Sequence, residues 1–338
     1  MSNADRKIHD RSPLVLIRRK AMETHFSMEE AIACMSTAFA SLSSGACTVP
    51  ERYVTDSPEG NLTLLVKPAF AADLDTSVVK ILSQKNGAPV AGLPTITGMV
   101  ILLSKVTGEI LSLLDGEHIT ALRTGAASGL ATQLLSRKDA SQLALFGCGR
   151  QGRTQLEAVC TVRSIKKTWV FDASRERAEI FVEEMKSRIP GDIEIADGLS
   201  VLKEVDVICT ATPSEIPLFG RDDLKEGTHI NAIGSFRPQM RELDPDLIRA
   251  SRTFFDDREG CLRSGDMVDA IGKHGPMEQQ LAGEIGELVL GKIQGPTSPS
   301  EITVFKSVGT AIQDLVVADA IYQKSRAEGF GEEITFYE

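Results

Sequence analysis

The chain has 338 residues, 42% of them hydrophobic and 25% charged, with a net charge of −10. That length predicts about two domains, with cores that need no staples. The acidic balance argues against a general affinity for nucleic acid or anionic membranes. No apolar run reaches the roughly 18 residues of a membrane span. The N-terminal stretch MSNADRKIHDRSP lacks the apolar core of a signal peptide, so a cytoplasmic chain is expected. Cys34, Cys47, Cys148, Cys160, Cys209 and Cys261 show no metal spacing and read as reduced thiols.

Residues 1–13 read as a loose tail. Ser27 to Leu42 reads as a helix, with Ser27 as cap and Glu30 three residues on. Residues 61–67, 78–82, 98–104 and 110–114 read as strands that follow one another without helices, which predicts an antiparallel or mixed sheet. Ile119 to Leu135 reads as a long helix whose small residues permit close packing against a backbone or a ligand. Strands then alternate with helices or loops, at 142–146, 167–171, 193–195, 206–210, 229–233 and 253–256. Such alternation predicts a parallel sheet covered on both faces. The segment 301–322 reads as a further helix. The expected fold is α/β: a Rossmann-type doubly wound parallel sheet (126–304) inserted into a second α+β domain formed by both chain termini (1–125 plus 305–338).

The strand 142–146 runs directly into Gly147-Cys148-Gly149-Arg150-Gln151-Gly152, and a helical segment follows. Glycine suits a tight turn at 147, backbone approach to a pyrophosphate at 149 and close helix–strand packing at 152. The helix N-terminus offers unpaired N–H groups to an anion. Asp172 ends the next strand and is placed to accept from the ribose 2′-hydroxyl of NAD. Ser174, Arg175 and Arg177 follow at once and suit a 2′-phosphate, so both NADH and NADPH remain open. Outside the loop, the five histidines fall at no catalytic spacing; His118 reads as a capping or surface residue. Arg52, Lys80 and Arg123 lie in or beside apolar stretches. Each reads either as a structural ion pair or as part of a carboxylate clamp.

The stretches LLDGEHITALRTGAASGLAT, FGCGRQG, HINAIGSFRPQMRELD and VFKSVGTAIQDL resemble the ornithine cyclodeaminase/mu-crystallin family, from about Ser27 to Ile321. The resemblance implies a homodimer joined through the non-Rossmann domain and no metal. It implies that Arg52, Lys80 and Arg123 hold a substrate carboxylate. It assigns Thr95, Arg123, Gly147, Gly149, Arg150, Gln151, Gly152, Asp172, Ser174, Arg175, Thr212, Ile233, Gly234, Ser307 and Gly309 to an NAD(P)H cofactor. Val308 continues the last motif at the nicotinamide end and joins the substrate residues. Two positions depart from true cyclodeaminases. Phe236 stands where they carry an Asp, and Leu65 where they carry a Glu. The Gly-Ser-Phe-Arg-Pro form is similar to the branch that reduces cyclic ketimines, small imino acids, with Phe236 as an apolar wall. Ornithine cyclodeamination, alanine dehydrogenation and non-catalytic ligand binding are the alternatives.

Overall fold

The computed structural model describes residues 13–86, 96–275 and 277–335. They divide into two compact units. The first comprises the described parts of Met1–Ser27, Ala46–Thr120 and Asp314–Glu338; the second comprises those of Met28–Gly45 and Ala121–Gln313.

The first unit is built on one sheet. Its strands run in the order Glu332–Ile334, Leu14–Ile17, Ile110–Asp115, Ile96–Ser104, Thr76–Lys85, Leu62–Ala71 and Cys47–Thr48, and Tyr53–Asp56 also pairs with Leu62–Ala71. Pairing is antiparallel except between Leu14–Ile17 and Ile110–Asp115. The four strands expected at 61–67, 78–82, 98–104 and 110–114 are present, two of them extending to ten residues. Residues 1–12 of the expected tail lie outside the described residues. Alternate side chains point to opposite faces of a sheet. Thr63, Lys67 and Ala69 are accordingly buried, while Leu62, Leu64 and Phe70 are exposed. The buried face meets the C-terminal helix, where Thr76 donates to Asp319 at 2.8 Å and Lys80 donates to Asp314 at 2.8 Å.

The second unit is a parallel sheet in the order Asp192–Ile195, Lys167–Phe171, Gln142–Phe146, Val207–Thr210, His229–Ala232, Thr303–Lys306, Arg252–Phe255 and Leu281–Glu284. Leu143 and Leu145 pack into one core with Leu156, Val159 and Phe181. Ala144 and Phe146 pack into the other, with Leu247 and Met267. Both faces are therefore covered, which makes the sheet doubly wound. From Gln142–Phe146 the chain first builds toward Lys167–Phe171, then returns to build outward from Val207–Thr210. A reversal of this kind opens a crevice at the carboxyl ends of the strands.

The structure revises three expectations. The segment 301–322 is not one helix: Thr303–Lys306 is a fully buried strand and the helix is Ala311–Glu328. Gly309, at φ 78°, turns the chain between them. The expected boundary at 304/305 thus falls inside a strand of the parallel sheet. The helix Met28–Ser44 groups with the second unit rather than the first. A Cβ at Gly286 would lie 2.0 Å from the Phe39 carbonyl oxygen, and Ser43 donates to Glu284 at 2.7 Å.

The long small-residue helix is Gly116–Leu135, and Asp115 rather than His118 caps it, accepting from the His118 N–H at 2.8 Å. Its Gly125 serves backbone packing: a Cβ there would lie 2.5 Å from the Thr154 carbonyl oxygen. Among the described residues no helix is long and apolar enough to cross a membrane.

Candidate dinucleotide site

The phosphate loop leaves Gln142–Phe146 and opens the helix Arg150–Val162. Gly147 has φ 101°, and a Cβ there would lie 2.5 Å from the Ala211 carbonyl oxygen. At Gly152 a Cβ would lie 2.1 Å from the Gly147 carbonyl oxygen. Both glycines are therefore demanded by the chain's own packing. Gly149 differs, because nothing lies within 4 Å of a Cβ placed there. It caps a helix N-terminus to which no side chain contributes a capping bond. The glycine keeps that space open for a ligand whose anionic group meets the N–H groups. Arg150 is exposed and Gln151 half-buried in the first turn. Cys148 is buried, and burial followed by the nearby Asp172 charge pushes its thiol up to about 12, so it stays unreactive.

The loop borders a cavity of about 710 Å³ whose lining includes Gly147, Gly149, Asp172, Arg175, Thr212 and Leu218. Asp172 stands on its rim. One carboxylate oxygen accepts from the Cys148 N–H at 2.9 Å, and the other accepts from the Ser174 N–H at 2.8 Å and from Arg177 at 2.7 Å. Partial burial acts to raise its pKa, but these donors outweigh it and hold the carboxyl below its usual range. Ser174 is engaged as the cap of the helix Arg175–Lys186, accepting from the Arg177 N–H. Arg175 is exposed and pairs with Glu179 at 3.2 Å. The loop, the open space and an ionised acid on one rim fit a nicotinamide dinucleotide.

Two buried acids that the sequence pattern does not single out shape the rest of the crevice. Glu242 is fully buried on Arg241–Leu243. It accepts from the Thr212 N–H at 2.6 Å, the Thr212 hydroxyl at 2.8 Å, the Gly234 N–H at 2.8 Å and the Ser235 N–H at 3.2 Å. It therefore ties Thr212 to the Ile233–Gly234 turn. Burial pushes its carboxyl up, and buried Lys306 only partly opposes this. Lys306 itself binds Asp266 at 2.9 Å and the Ser235 carbonyl at 2.6 Å. Asp256, also buried, gathers the other loop. It accepts from the Ser307 hydroxyl at 2.7 Å, the Val308 N–H at 3.1 Å and the Gly309 N–H at 2.7 Å. The legible signal was an acid at the end of, or within, a short apolar strand: TFFD and REL.

Arg123, buried in the second unit, lies against that second loop. A Cβ at Gly309 would come within 2.6 Å of its guanidinium, and Arg123 donates to Gln313 at 3.2 Å. Phe236 is half-buried just past the Gly234 turn, with the Arg237 guanidinium 5.4 Å from its ring centroid. The second unit thus brings Gly147, Gly149, Asp172, Arg175 and Thr212 to one cavity, and Arg123 to Gly309. In the first unit, Lys80 is completely buried in its ion pair with Asp314, and Arg52 is partly exposed just before Tyr53–Asp56. Leu65 lies on the neighbouring strand. Thr95 lies outside the described residues.

The ornithine cyclodeaminase/mu-crystallin family model matches residues 13–329. The chain is 34% identical to a Δ1-pyrroline-2-carboxylate reductase of Bacillus cereus, over 92% of this chain and 96% of that protein. Its fold is similar to that of Thermococcus litoralis Δ1-pyrroline-2-carboxylate reductase in complex with NADH and L-proline, with a TM-score of 0.90 and 35% identity over 95% of this chain and 100% of that one. It is also similar to an archaeal alanine dehydrogenase dimer with bound NAD, with a TM-score of 0.88 and 31% identity over 96% of this chain and 99% of that one. With a Rossmann unit whose phosphate loop borders a cavity of about 710 Å³, the chain belongs to the ornithine cyclodeaminase/mu-crystallin family and uses a nicotinamide cofactor.

Proposed function

We propose that this nicotinamide-dependent oxidoreductase reduces cyclic ketimines, converting Δ1-pyrroline-2-carboxylate to L-proline and Δ1-piperideine-2-carboxylate to L-pipecolate. The observation that carries the reading is Phe236. Directly past the turn held by Glu242, the chain presents a phenyl ring where a cyclodeaminase carries an Asp. A ring of this kind cannot deprotonate an ammonium, but it suits the apolar edge of a cyclic imine. The similarity to pyrroline-carboxylate reductases over nearly the whole chain supports the same reading.

In this reading Arg52, Lys80 and Arg123 hold the substrate carboxylate, Arg by paired hydrogen bonds and Lys as a point charge. Gly147–Gly152, with Arg150 and Gln151, receive the pyrophosphate, and Asp172 receives the ribose. Thr212, Ile233 and Gly234 on one side, and Ser307 to Gly309 on the other, frame the nicotinamide end. A bound nicotinamide dinucleotide supplies hydride to the imine carbon while the nitrogen carries a proton. An iminium carbon is already electrophilic, so orientation by the cations accounts for most of the acceleration.

The chain also pairs with a second copy in this reading. Leu64, Phe70 and Met99 leave an apolar surface exposed on one face of the first unit's sheet, and a contiguous surface of that kind marks a protein contact.

The test follows NADH and NADPH oxidation with each cyclic imine, beside ornithine with NAD⁺ and pyruvate with ammonia. Rapid oxidation with the imines is expected. Ammonia release from ornithine, or consumption of pyruvate, without imine turnover would overturn the assignment.

A further inference from the structure

Gln313 has no role in the reading above, yet it holds one of the cations that do. It is completely buried in the first turn of the helix Ala311–Glu328. Its side-chain oxygen accepts from the Arg123 guanidinium at 3.2 Å and from the Thr310 N–H at 2.9 Å. Thr310 directly follows the loop Ser307–Gly309. Arg123 fills the space that a side chain at Gly309 would need, where a Cβ would lie 2.6 Å and 2.8 Å from its terminal nitrogens. One amide oxygen therefore pins the guanidinium to this loop.

Both neighbours of that oxygen are donors, so the orientation of the amide is fixed. Its nitrogen, turned the other way, is buried and finds no acceptor among the described residues. Leaving a buried N–H unpaired is costly. A glutamate would supply the same acceptor without the stranded N–H, and a carboxylate binds a guanidinium more strongly than an amide does. As an anchor for a buried guanidinium, glutamate is therefore the stronger residue. Proteins break such local rules at functional sites. What glutamine offers instead is an acceptor without charge: it fixes the guanidinium and cancels none of its charge. One residue on, in the first unit, Asp314 holds Lys80 at 2.8 Å and meets charge with charge. We propose that Gln313 is a positioning residue for the substrate carboxylate, which seats Arg123 against the Gly309 loop and leaves its positive charge to the ligand. The proposal rests on the reading that Arg123 binds a carboxylate, but not on which imino or amino acid carries it.

The experiment uses the full chain with Gln313→Glu, Arg123→Met and the two combined. KM and kcat are measured with Δ1-pyrroline-2-carboxylate, and Kd with L-proline and L-alanine on the NADH-saturated enzyme. Gln313→Glu keeps the acceptor and adds a charge. It is expected to raise KM and both Kd values about tenfold or more, the equivalent of one charge-assisted contact. NADH affinity should stay unchanged and Tm should be no lower than in wild type. In the Arg123→Met background Gln313→Glu should add no further loss, because it acts through Arg123. A Gln313→Glu enzyme with wild-type KM and Kd overturns the proposal. So does one that loses Tm and NADH affinity together, because that marks an amide needed only for packing. Unchanged Kd values in Arg123→Met overturn the clamp and this proposal with it, whereas weaker binding in Arg123→Met but not in Gln313→Glu overturns the proposal alone. Failure of the reductase reading is separable: an enzyme that never reduces the imine, yet binds L-proline or L-alanine more weakly after Gln313→Glu, sinks that reading and leaves this one standing.

Discussion

Gly149 and Gly152 are three residues apart and answer to different constraints. At Gly152 an added methyl would meet the Gly147 carbonyl oxygen at 2.1 Å, whereas at Gly149 it would meet nothing within 4 Å. Gly152→Ala should therefore destabilise the fold by about 1–3 kcal/mol, the usual cost of overpacking, which urea unfolding reads directly. Gly149→Ala should leave that curve in place and raise the Kd for NADH about tenfold, the equivalent of one hydrogen bond to a charged group. Equal effects of the two substitutions on stability would contradict the division. Asp172 is held ionised by the Ser174 and Cys148 N–H groups and by Arg177. A carboxylate there repels a 2′-phosphate, so NADH should outperform NADPH. Asp172→Ala should shift the ratio of their kcat/KM values toward NADPH by about tenfold. An unshifted ratio would remove Asp172 from cofactor discrimination.

Among the elements, two buried acids organise the loops of the second unit. Glu242, in the strand Arg241–Leu243 that lies outside the parallel sheet, and Asp256, just past the parallel strand Arg252–Phe255, each collect the N–H groups of a loop that frames the crevice. Glu242→Ala would strand the buried donors on Thr210, Thr212, Gly234 and Ser235. It should cost at least about 3 kcal/mol and weaken NADH binding as well, which denaturation and fluorescence titration would measure together. At the amino end of its strand lies His229, fully buried between Thr303 at 2.9 Å and Asn231 at 3.2 Å. Burial lowers its pKa to about 3. The unfolded chain takes up a proton near 6.5, while the folded one stays neutral until about 3. This contribution to stability is thus complete above pH 6.5 and is lost as pH falls toward 3. At pH 5 the loss is about 2 kcal/mol. Unfolding measured at pH 7.5 and pH 5 should show a smaller difference for His229→Gln than for wild type.

At the scale of the whole molecule, the apolar face of the first unit's sheet leads to a quaternary prediction. Met99→Asp, on that face, should convert the proposed dimer to monomers, seen by light scattering, while the parallel-sheet unit keeps its affinity for NADH. A wild-type chain that is already monomeric would overturn the dimer. Much of the architecture was legible beforehand. Gln142–Phe146 falls on its expected residues because a strand buried on both faces reads as an almost unbroken apolar run, and Lys167–Phe171 does so because its β-branched and aromatic residues favour a strand. Thr303–Lys306 was absorbed into a helix because a four-residue run next to a helical pattern has too little periodicity to separate the two. By itself, the sequence determined the phosphate loop, the acid at Asp172, the alternation that makes a doubly wound sheet and the aromatic at 236. These are local patterns, and their meaning depends on neighbours a few residues away. Only the tertiary structure decided that Glu242 and Asp256 hold the crevice loops, that Gly149 alone of the loop glycines faces open space, and that Gln313 holds Arg123. Each of these depends on segments far apart in the chain, and strand register and burial, which bring them together, are not written in any one of them.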